Sequence, residues 1–156
     1  MKRITIILTF LLSFIAGYAQ QGLRMNDLFE GHIIPQERLI ETRIRGKALS
    51  KYQLSYYRSL RFKASEKEVA DLRRLMNEDG KGHFVTASDR AESKGTRAVQ
   101  NYIYRIQLGP QDGKHRFLCY QDVFTSHKEP REVMVIYMEG SVADLSKLEE
   151  LINNKK

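Results

Sequence analysis

The sequence predicts an α+β fold, a mostly antiparallel sheet of about five strands with helices packed on it, in the order α-β-β-α-β-β-β-α. Three observations lead there. Several segments alternate apolar and polar residues with period two, as half-buried strands do. Ser65 followed by Glu68 forms a capping box that opens a run with helical apolar spacing. Val133-Met134-Val135-Ile136-Tyr137-Met138 is apolar on both faces, which suits the middle of a covered sheet.

In chain order, Met25, Leu28 and Phe29 stand at i, i+3, i+4 within Gln20 to His32, so a short helix is expected there, ending near Gly31 before Pro35. From Glu37 to Arg45, Ile40, Thr42 and Ile44 alternate with Glu41, Arg43 and Arg45, giving a strand with one wet face. Gly46 to Lys51 turns the chain into a second strand, Tyr52 to Lys63, with Leu54, Tyr56, Leu60 and Phe62 on its inner face. The helix after Ser65 turns Val69, Leu72, Leu75 and Met76 inward and stops within Asn77 to Gly80. Lys81 to Thr96 is polar with little periodicity and reads as a long loop. Tyr102, Tyr104, Ile106 and Leu108 mark the next strand, and Asp112-Gly113 a hairpin turn into His115 to Asp122. The apolar run at 133–138 precedes a terminal helix starting at Gly140-Ser141, with Val142, Leu145, Leu148, Leu151 and Ile152 as its stripe.

The first nineteen residues read as a signal peptide. Lys2 and Arg3 give the positive start, Ile4 to Ala16 the apolar run, and Gly17-Tyr18-Ala19 the small residues before a cut at Gln20. Removing 19 of 156 residues leaves 137, a single domain over 20–156. The cut lowers the net charge from +7 to +5, since Lys2 and Arg3 leave with it. Export to the periplasm is expected, with an extracellular location the alternative; nucleic acid is then not an expected partner, and no second apolar run is long enough to span a membrane. Cys119 is the single cysteine, so no intrachain disulfide holds the fold together.

Gly46-Lys47-Ala48-Leu49, Tyr52-Gln53-Leu54, Tyr57-Arg58-Ser59-Leu60 and Tyr137-Met138-Glu139-Gly140 before a Leu-rich helix resemble a family of small exported Bacteroidetes proteins with no assigned function. The resemblance implies a Gram-negative envelope setting and carries over no catalytic residue.

Chemistry is sparse. Between Thr42 and Ser65 there are basic residues and no acid. Were the two strands a hairpin with matching alternation, Arg43, Arg45, Arg61 and Lys63 would share an outward face with Tyr57. Guanidinium forks beside an aromatic ring suit sulfate, phosphate or uronate groups, so this is the candidate anion-binding face. A solvated sheet face kept soluble by charge is the simpler reading of the same residues. Cys119 and His115 lie four residues apart on a strand, about 13 Å, too far for direct activation. His32, His83, His115 and His127 lack the paired spacing of zinc sites, and no serine sits in a nucleophile elbow. No catalytic residue, metal ligand or cofactor is therefore assigned. The expectation is an exported binding module whose partner is an anionic envelope component or another protein. The alternative is a small hydrolase with a pocket between the sheet and the 81–96 loop.

Overall fold

A computed structural model describes residues 22–94, 97–126 and 129–154, with the side chains of 92–94, 97 and 98 left aside. The expected signal peptide, His127, Gly95 and Thr96 fall outside these residues. Three α-helices are described, α1 (Asn26–Phe29), α2 (Glu66–Gly80) and α3 (Leu145–Asn153). Six strands, β1 (Ile40–Arg45), β2 (Leu54–Ala64), β3 (Phe84–Lys94), β4 (Arg97–Gln111), β5 (Lys114–Phe124) and β6 (Arg131–Gly140), form one sheet. Their spatial order is β1-β2-β6-β5-β4-β3, and every neighbouring pair is antiparallel. The apolar run at 133–138 lies in β6, at the sheet's centre, as its two apolar faces predict.

The strand absent from the sequence reading is β3. Expected as a loop from Lys81 to Thr96, most of that segment pairs with β4 from Phe84↔Gln107 to Lys94↔Arg97. As an edge strand it meets water along one side, so it tolerates the polar composition that hid it. The terminal helix also starts later than expected. Gly140 ends β6, and Asp144 caps α3 by accepting from the Lys147 N–H at 2.8 Å. Gly140 is required where it stands, because a Cβ would collide with the Gln53 carbonyl oxygen and come within 2.7 Å of the Leu54 Cα. That crossing fixes a 3₁₀ turn (Gly46–Tyr52) against β6, since the Gln53 carbonyl accepts from the Ser141 and Val142 N–H groups.

The two sheet faces are covered unequally. On one face α2 and the N-terminal segment bury Leu60, Leu72, Met76, Ile106, Leu118, Tyr120, Val135 and Tyr137. The capping box closes as its sequence requires: the Glu68 N–H donates to Ser65 Oγ at 3.3 Å and the Ser65 N–H to Glu68 Oε2 at 2.8 Å. At the far end of α2, the buried Asp79 carboxylate accepts from the Arg24 and Met25 N–H groups at 2.6 and 2.9 Å, pinning the N-terminal segment. On the other face α3 covers one end, packing Leu145 and Leu148 with Leu49, Leu54, Phe117 and Met138. The rest of that face is open.

Candidate functional site

Following the pairing across strands gives successive rows of side chains on the open face. The row nearest α3 reads Ile44, Tyr57, Met138, Phe117, Gln107, Phe84 from β1 to β3. The next is Thr42, Ser59, Ile136, Cys119, Arg105, Thr86, and the one after it Ile40, Arg61, Met134, Gln121, Ile103, Ser88. Lys63, Glu132, Val123, Asn101 and Arg90 form the row after that. Beneath the free edge of α3 these rows floor a trough of about 620 Å³, within the usual range for ligand pockets. A smaller hollow continues it past Gln121 and Met134 to Arg61, and a third adjoins that at Arg61 and Glu132.

The trough is polarised along its length. Toward β6, β2 and α3 it is walled by Met134, Ile136, Met138, Leu148 and Ile152. Toward β3 and β4 it presents Ser88, Arg90 and Arg105. Arg105 pairs with Glu149 of α3 at 3.2 Å. Arg90, Arg61 and Lys63 make no side-chain hydrogen bond or ion pair among the described residues. The large hydrophobic side chains that remain exposed are Ile40 (67%), Phe84 (62%), Ile152 (47%) and Ile44 (36%). Three of them stand on this face and the fourth lines its trough.

The candidate anion-binding residues do not stay together. Tyr57, Arg61 and Lys63 stand on the open face, whereas Arg43 and Arg45 lie on the opposite one, opposite Arg58 and Tyr56. The register set by the 46–52 turn and by Gln53, at φ +56°, pairs odd positions of β1 with even positions of β2. That single-residue offset moves the whole alternation to the other side. The arginines on the covered face find partners there. Glu41 accepts from Arg43 at 2.7 Å and from the buried Arg58, which also donates to the Phe29 carbonyl at 2.8 Å. Arg45 lies over the Tyr56 ring, 4.9 Å from its centroid. Burial pushes the Glu41 carboxyl up, but the bonds from Arg43 and Arg58 outweigh it and hold its pKa below the ordinary value.

Cys119 is half-buried on the trough floor, and desolvation pushes its thiol up to about 12, which disfavours the thiolate. His115 shares its strand face but is four residues along it. Of the histidines weighed as metal ligands, His32 lies beside Asp27 and Glu30, with Nδ1 3.7 Å from an oxygen of each. All three are exposed, as acidic surface groups commonly are. Within the segment expected as a loop at 81–96, Phe84–Lys94 is strand β3, and it contributes Ser88 and Arg90 to the trough. Sequence reasoning missed the trough because its lining is drawn from five strands. The signal available was the both-faces-apolar character of 133–138, which requires a cover on each side.

The geometry defines an α+β protein with one helix-packed sheet face and a half-roofed trough on the other. The chain belongs to a family of unknown function (DUF6108), whose model matches residues 12–152. No curated protein and no solved structure shows significant similarity to it. Among the described residues no helix is long and apolar enough to cross a membrane.

Proposed function

We propose that this chain is an exported, periplasmic binding module that acts without catalysis and takes its ligand in the trough. Export rests on the charged, apolar and small-residue order of residues 1–19. One observation carries the binding reading: a cavity of about 620 Å³ on the open face is walled by Met134, Ile136, Met138, Leu148 and the exposed Ile152. Contiguous apolar surface left unburied beside a well-formed core marks a site of interaction. Tyr57, Arg61 and Lys63, on the same face, make an anionic envelope component a fitting partner.

Nile red, a neutral apolar dye, tests the trough. Saturable binding at one site is expected, abolished by Met134→Glu in a variant that keeps its circular dichroism spectrum. Unsaturable binding, or binding indifferent to that change, overturns the reading. For export, N-terminal sequencing of periplasmic material is expected to begin at Gln20, and intact Met1 in the membrane fraction contradicts it.

A further inference from the structure

Resting on that reading of the trough, we infer that its ligand is a single-chain amphiphile with a carboxylate head, of the fatty-acid type. The tail lies over Met134, Ile136 and Ile103 beneath Leu148 and Ile152, and the head lies at Arg90 and Ser88.

The argument is one of complementarity in both polarity and charge. A purely apolar ligand would make no use of Arg90, which stands exposed at the β3 end of the trough, and a purely polar one would leave the Met134–Ile136 end wetted. Among the described residues that line it, the cationic end holds Arg90 and Arg105 against one acid, Glu149, which is already engaged by Arg105. Arg90 is thus the guanidinium free to take a carboxylate, in the forked geometry that arginine offers and lysine does not. Ser88, two residues earlier on the same face, adds a hydroxyl donor. Glu132 stands beyond the trough beside Lys63 and Arg61, where it does not oppose an anionic head. From Arg105 on β4 to Tyr57 on β2 is three strand intervals, about 14 Å, which suits an extended chain lying across the strands.

Displacement of Nile red from the purified protein at pH 8 and below micelle-forming concentrations separates the outcomes. Dodecanoate is expected to displace the dye at about tenfold lower concentration than dodecanol, since a charge-assisted bond is worth roughly one such step, and dodecyltrimethylammonium to be weaker than both. Arg90→Gln is expected to erase the advantage of dodecanoate while leaving dodecanol unchanged. Equal displacement by the three, or an Arg90→Gln variant that still prefers dodecanoate, overturns the carboxylate head while the trough reading stands. Dye that binds but yields to none of the three overturns the amphiphile class. Dye that never binds defeats the trough reading with it. Loss of dye binding as the chain dimerises would make a second copy the occupant and end the inference.

Discussion

On the helix-covered face Asp122 is fully buried and holds Arg73 at 2.8 and 2.9 Å and Arg131 at 2.9 Å, with Glu66 closing the chain at 2.9 Å from Arg131. On the open face Arg61, Lys63 and Arg90 stand in water beside exposed isoleucines without an ion pair among the described residues. The covered face gives its buried acids Asp122 and Asp79 partners, two guanidinium groups for the first and two backbone N–H groups for the second, because a lone buried charge costs several kcal/mol. The open face leaves apolar and cationic groups unmatched, which a monomer's stability does not call for. The proposed binding role rests on that difference.

Adjacent residues of β6 break the comparison most sharply. Val135→Glu places a carboxylate in the α2 core and is expected to yield no folded protein, whereas Met134→Glu, one residue away on the open face, folds with a loss of about 1 kcal/mol or less. Urea unfolding of the pair checks this, and comparable losses would mean that both faces are core. Asp122→Asn leaves Arg73 and Arg131 short of their shared counter-charge and is expected to cost about 3 kcal/mol.

Smaller effects sharpen the account of the covered face. Ser65→Ala removes the α2 cap at a cost of about 1 kcal/mol in denaturant titration. The Glu68 carboxyl is held down at about 2, first by its bond from Arg38 and further by Ser65, against the opposing pull of burial. Its folded pKa lies below the unfolded value of about 4.3, so its stabilisation is complete above that pH and fades as pH falls toward 2. Thermal unfolding between pH 5 and 2 is expected to fall less steeply in Glu68→Gln than in the parent. Least of all, Tyr120→Phe should stay within about 0.5 kcal/mol of the parent, because the buried hydroxyl has no hydrogen-bond partner of good geometry to lose. Burial, and then the neighbouring Asp122 charge, push that hydroxyl's pKa up.

What the sequence made legible follows from how local each signal is. The Ser65/Glu68 cap, the Asp112-Gly113 turn (φ +50° and +74°) and the central placement of 133–138 are written in neighbouring residues, and each stands where expected. Strand β3 was hidden because an edge needs little hydrophobicity. The division of Arg43 and Arg45 from Arg61 and Lys63 was hidden because register is set by a turn and by Gly140, which lies far along the chain. The trough belongs to no segment. It exists only once β2, β6, β5, β4 and β3 lie side by side under α3.

The most direct test is an amide chemical-shift map of the protein titrated with dodecanoate. Perturbations are expected at 88–90, 103–105, 119–121 and 134–136 and along Leu145–Asn153, with α2 left quiet. Shifts centred on the N-terminal segment and α2, or spread evenly over the molecule, would contradict the assignment of function to the open face.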